Sequence, residues 1–177
     1  MTKASIGLFI AFAVHDAEEL ITMPSTSRAT LSALPRWVSI PKDFRAHGVS
    51  QAHASVGIAI MSALVGSAAL AGARSSGKSA CFRGVLLAFG AHGFTHIASA
   101  LALRRYTTGV VTAPIVVIPF WLWARRVLLD NGVREHDARS SAVAASALPV
   151  ILAVHAITRV LLGSRSVGGR TPSTRKR

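Results

Sequence analysis

The chain has 177 residues, 51% of them hydrophobic and only 15% charged, with mean hydropathy +0.46. Soluble domains carry closer to a quarter charged residues, so an ordinary globular domain is excluded and a small polytopic membrane protein fits. The net charge of +13 does not mark a nucleic-acid surface, because the Lys and Arg residues lie between and after apolar blocks, as they do in cytoplasmic loops facing anionic headgroups.

The first apolar block covers residues 4–23 and is expected to stop at Pro24. Its Ala11-Phe12-Ala13 stretch mimics a signal-peptide cleavage site. Only Lys3 precedes it, however, and cleavage would strip the spanning segment from the run His15-Asp16-Ala17-Glu18-Glu19. That run holds three of the chain's seven acidic residues within four positions. Ionisable groups inside an apolar span are costly and point to function. On a helix His15, Glu18 and Glu19 share one face, since i, i+3 and i+4 are neighbours. Residues 25–48, with Pro35, Trp37, Pro41, Lys42, Phe44 and Arg45, predict a structured interfacial loop that could act as a lid over this cluster.

The second block, residues 49–73, is rich in Ala, Gly and Ser, which favours close helix packing in lipid. Its His53 reads as a packed structural residue. Cys81, the single cysteine, excludes an internal disulfide and reads as a small filler at a helix start. The third block, residues 82–103, ends at Arg104-Arg105 and carries His92 and His96, with Thr95 and Ser99 alongside. Two imidazoles at i and i+4 are a common way for one helix to offer two metal ligands. The fourth block, residues 110–129, contains Pro114 and Pro119 and predicts a kink, with Trp121, Trp123, Arg125 and Arg126 as an interfacial anchor. The fifth, residues 141–162, carries His155 and Arg159 at i, i+4, and Arg159 is a candidate counter-charge to Glu18 and Glu19.

Each block has roughly the 20 residues a crossing needs. The expected fold is an all-α, polytopic transmembrane helix bundle of about five spans, forming one unit over residues 1–163. A disordered basic tail is expected over 164–177. Five spans put the N- and C-termini on opposite sides. The side with the C-terminus carries twelve Lys/Arg against eight, which favours a cytoplasmic C-terminus. Membrane lipid is the expected partner, and nucleic acid is not.

Three chemistries suit the polar residues. His15, Glu18 and Glu19 can join His92 and His96 around one or two divalent transition metals, zinc, iron or manganese, as carboxylates and imidazoles do in four-helix sites. Such a centre would serve a hydrolase or oxidoreductase acting on a lipidic or small hydrophobic substrate. Alternatively, Glu18 or Glu19 works with His15 as a metal-free acid/base pair. The third reading is a buried polar network that fixes helix packing. A proton- or cation-coupled carrier loading Glu18 and Glu19 is the competing class, although carriers of that kind usually show an internal repeat and none is visible here.

The run His15-Asp16-Ala17-Glu18-Glu19 reads as H-x-x-E-E, and Tyr106-Thr107-Thr108-Gly109-Val110-Val111-Thr112 follows Y-x-P-G-x-x-T/S with Thr108 in place of proline. With a further histidine, His96 or His92, between them, the chain resembles the HXXEE family of small bacterial integral membrane proteins. That resemblance implies a plasma-membrane location and these site residues, and no particular reaction. It adds Tyr106 as a candidate catalytic group hydrogen bonding at a substrate entrance, with Thr112 capping the fourth helix. Thr108 loosens a turn that proline would stiffen, whereas Gly109 still allows positive φ.

Overall fold

The computed structural model describes residues 2–167. Every regular element among them is helical: α1 (Thr2–Ala33), α2 (Lys42–His47), α3 (Gln51–Arg74), α4 (Ala80–Leu103), a π turn (Ala113–Val117) leading into α5 (Ile118–Asp130), α6 (Ala138–Ala145) and α7 (Ala147–Val167). Three helical stretches are long and apolar enough to cross a membrane: Gln51–Arg74, Ala80–Leu103 and Ala138–Gly163. The acids of α1 interrupt its apolar run, and α5 has 13 residues, so neither qualifies by the same measure.

Helix α1 does not stop at Pro24 but continues for nine residues beyond it. Proline removes the N–H that would bond to the carbonyl of Leu20. Gln51 Nε2 supplies the missing donor to Leu20 O at 3.0 Å. Around the same turn, Thr22 Oγ1 donates to Glu18 O, and Ser25 Oγ and Thr26 Oγ1 both donate to Thr22 O. The loop predicted over 25–48 is therefore helical through Ala33 and again in α2. It folds back on the end of α1 rather than over the acidic cluster. Arg45 donates to the carbonyls of Leu34 and Val38 at 2.8 and 3.0 Å, and Val49 N donates to Ser27 Oγ at 2.8 Å.

The other prolines also leave marks. Ile118 N–H donates to Ala113 O, an i→i+5 bond, and Pro119 lacks the donor that would continue that register. The predicted kink is thus a π turn. Pro149 has no N–H for Ala145 O, and the fifth block breaks there into α6 and α7. Helix α7 runs to Val167, across the 163/164 boundary expected for the tail; residues 168–177 lie outside the described residues.

Helices α1, α3, α4 and α5 with its π turn surround the core built on Leu8, Phe12, Val65, Phe82, Leu86, Phe89, Val117 and Leu128. Helix α1 packs along α3, and α4 packs on α3, α5 and α6, so α1 and α4 face one another across the bundle. Glycines permit the close approach: Gly90 lies against the Trp121 ring and Gly72 against Phe82. Helix α6 is tied to α4 through buried Arg83, which donates to Asp137 Oδ2 at 2.7 Å and Arg134 O at 3.0 Å. Asp137 also caps α6, accepting from Ser140 N at 2.9 Å. The Ser140 backbone N–H, then the Arg83 guanidinium, hold the Asp137 carboxyl well below the usual carboxylate range.

Candidate metal centre

Two i, i+4 pairs meet across the bundle, His15 and Glu19 from α1 with His92 and His96 from α4. His96 Nε2 lies 2.8 Å from His92 Nε2, 3.2 Å from His15 Nε2 and 3.3 Å from Glu19 Oε1. His15 Nε2 and Glu19 Oε1 are 3.9 Å apart, and one ligating atom from each residue falls within 4.8 Å of all the others. A tetrahedral site with ligand distances of about 2.0–2.1 Å has edges of about 3.3–3.4 Å. The observed separations straddle that value.

Hydrogen bonding fixes which ring atoms face the centre. A backbone carbonyl only accepts, so the 2.6 Å contact between His96 Nδ1 and Thr108 O means that Nδ1 carries the proton. In a neutral ring its Nε2 then presents a lone pair. His15 Nδ1 contacts Thr112 Oγ1 at 2.7 Å, and its Nε2 also faces the centre. His15, His96 and Glu19 are buried, and the Phe89 ring stands edge-on to His15 with centroids 6.0 Å apart.

The segment 104–112 closes over these rings. Gly109 adopts φ +75, and its Cα lies so close to the site that a Cβ would sit 2.7 Å from His15 Cε1 and from His96 Cε1 and Nδ1. Thr22 Oγ1 and Thr108 Oγ1 are 2.8 Å apart, linking the segment to α1.

Of the residues singled out from sequence, His15, Glu19, His92 and His96 come together, and Glu18 does not join them. Its carboxylate turns to the other flank of α1 and accepts four hydrogen bonds: Tyr106 Oη at 2.5 Å, Val111 N at 3.2 Å, Thr112 N at 2.7 Å and Thr112 Oγ1 at 2.6 Å. Tyr106 is thus a half-exposed anchor for Glu18. Thr112 makes no side-chain cap of its own; Glu18 takes up the free N–H groups ahead of the π turn. Arg159 is no counter-charge to the glutamates: it pairs with Asp43 at 3.2 Å and lies over Phe44. His53 and His155 form a separate pair, their rings 2.9 Å apart at Nε2 and Nδ1.

Sequence reasoning misses the Thr108 carbonyl and the contact made by Gly109. The signal for both is the position of the Y-x-x-G-x-x-T run, ten residues after His96. Asp16, three residues before Glu19 and so its neighbour on the helix, is also buried.

The family model described as "protein of unknown function with HXXEE motif" matches residues 6–124, a stretch that contains every residue of this centre. No curated protein and no solved structure matches the chain.

Proposed function

The chain belongs to the HXXEE family, and from that premise we propose a multi-pass membrane protein whose centre at His15, Glu19, His92 and His96 holds one divalent transition metal for an intramembrane enzyme. The observation that carries the metal is the facing of acceptors. With its Nδ1 protonated, His96 aims a lone pair at the Glu19 carboxylate 3.3 Å away and at His15 Nε2 3.2 Å away. His92 Nε2, 2.8 Å from His96 Nε2, can bring one N–H to this group, whereas a cation would satisfy all four converging ligand atoms at once.

Imidazole with carboxylate suits zinc, iron or manganese rather than calcium or magnesium. A bound metal of this kind supplies Lewis acidity, polarising a substrate oxygen or activating water. The surrounding apolar helices favour a lipidic or small hydrophobic substrate. One observation favours a second, non-catalytic reading: four protein ligands close a tetrahedral zinc, whereas iron or manganese with the same ligands keeps further positions for substrate or water. The carrier reading is weakened because the acceptor sites of Glu18 are already taken by Tyr106, Val111 and Thr112.

Metal analysis of the detergent-purified full chain tests the centre. The protein should hold a single metal ion per chain, lose it to chelation and recover it on reloading. Failure to retain any of the three metals after reloading rules the centre out, and zinc with no exchangeable position supports the closed, structural role.

Five crossings are the second part of the proposal, adding α1 and the π turn with α5 to the three apolar stretches. Neighbouring helices meet in opposite running order, Ser5 and Phe9 of α1 against Gly72 and Gly66 of α3, and Gly90 and Gly93 of α4 against Trp121 and Val117. The helix ends and the loops beside them carry Lys3, Arg74, Lys78, Arg104 and Arg105. Tags at the two termini should report from opposite sides of the membrane, with the C-terminus cytoplasmic. Both tags on one side would remove a crossing.

A further inference from the structure

We infer that the two glutamates of the H-x-x-E-E run have different tasks: Glu19 ligates, while Glu18 is a positioning residue that acts through Thr112 to hold His15 in its metal-binding tautomer. The inference rests on the proposed metal centre and concerns residues that the centre itself leaves without a role.

A carboxylate only accepts hydrogen bonds, and a threonine hydroxyl has a single hydrogen. Thr112 Oγ1 lies 2.6 Å from Glu18 Oε2, so that hydrogen belongs to Glu18. Thr112 Oγ1 therefore meets His15 Nδ1, 2.7 Å away, with a lone pair. His15 must donate from Nδ1, and a neutral imidazole has no second N–H. Its Nε2 is left bare, pointing at His96 Nε2 and Glu19 Oε1.

Without the carboxylate, the Thr112 hydroxyl can turn its hydrogen toward Nδ1. The proton of His15 then moves to Nε2 and blocks the ligand position. His96 needs no such relay, because the Thr108 carbonyl can only accept. His15 is thus the ring whose tautomer depends on a side-chain relay of carboxylate, hydroxyl and imidazole in series. Outer partners that orient a ligating histidine in this way typically matter 10–100-fold in metal affinity.

The geometry also explains why Glu18 is not itself a ligand. Donors from Tyr106, Val111 and Thr112 occupy both of its oxygens, and two of those donors are backbone N–H groups that no side-chain substitution removes. Thr112→Val therefore keeps the shape and the backbone anchor on Glu18 while deleting the hydroxyl. Thr112→Ser keeps the hydroxyl.

The test combines Co²⁺ titration of the full chain in detergent with ¹⁵N NMR of His15 in the chelated protein. Wild type and Thr112→Ser should show His15 protonated at Nδ1 and bind Co²⁺ within a few-fold of each other. Thr112→Val and Glu18→Leu should shift His15 toward the Nε2–H form and bind about 10–100-fold more weakly, leucine being chosen because a glutamine oxygen could still accept from Thr112. A wild-type His15 protonated at Nε2 overturns the inference, even if every variant misfolds. Loss of Co²⁺ binding in Glu18→Leu with none in Thr112→Val also overturns it, because Glu18 would then be a ligand. If wild type binds no Co²⁺, the metal reading fails, and the tautomer measurement still decides the relay by itself.

Discussion

Gly109→Ala is expected to abolish metal loading and to destabilise the chain by about 2–5 kcal/mol, from a left-handed backbone cost of about 1–2 and a packing cost of about 1–3. Gly109 has φ +75, a region that alanine occupies at a penalty. The larger effect is steric. A Cβ there would stand 2.7 Å from Cε1 of His15 and from Cε1 and Nδ1 of His96. Those atoms belong to rings held by Thr112, by Thr108 and by each other. Neither ring can turn away without giving up its place in the centre. Gly132→Ala provides the comparison, since Gly132 has φ +68 with nothing within 4 Å of the added carbon. It carries the backbone cost alone and should lose only about 1–2 kcal/mol while binding metal normally. Thermal unfolding in detergent and Co²⁺ titration of both variants separate the two terms. Equal behaviour of the two alanines would mean that segment 104–112 does not rest on the histidines.

The legible part of the site is the part that periodicity controls. Two i, i+4 spacings, His15 with Glu19 and His92 with His96, suffice to project two pairs of ligands from two helices. What periodicity cannot resolve is the destination of Glu18. At roughly 100° per residue, Glu18 and Glu19 leave α1 in directions about 100° apart. Which of them reaches α4 depends on where the neighbouring helix lies. Here α4 stands on the Glu19 side, and segment 104–112 stands on the Glu18 side.

The same limit applies to the fold. Apolar blocks locate α3 and α4 to within a few residues, because their ends coincide with basic or capping residues: Ser50 and Ser79 at the starts, Arg74 and Arg104 at the ends. Proline is the poor guide. Pro24 sits inside α1 because Gln51, distant in sequence, satisfies the carbonyl it leaves free. Pro149 breaks the fifth block at Ser146. Arg159 finds Asp43 because α2 brings that acid beside α7, a contact that no local pattern announces.

His96→Ala is expected to lower metal affinity more than about 100-fold, beyond the range typical for loss of an outer hydrogen-bond partner. His96 Nε2 is the hub of the centre, with His92, His15 and Glu19 all between 2.8 and 3.3 Å from it. Its loss also frees the Thr108 carbonyl, so hydrogen exchange in segment 104–112 should accelerate. Glu19→Gln should match the loss of metal without that loosening. In the chelated protein this variant should not lower stability, because its amide keeps the shape and can donate toward the imidazole lone pairs. A site kept for metal at some cost to the metal-free fold would behave in this way. The double variant should bind little more weakly than either single one, since ligands of one centre act as a unit. Losses that simply add would mean that His96 and Glu19 do not share a metal.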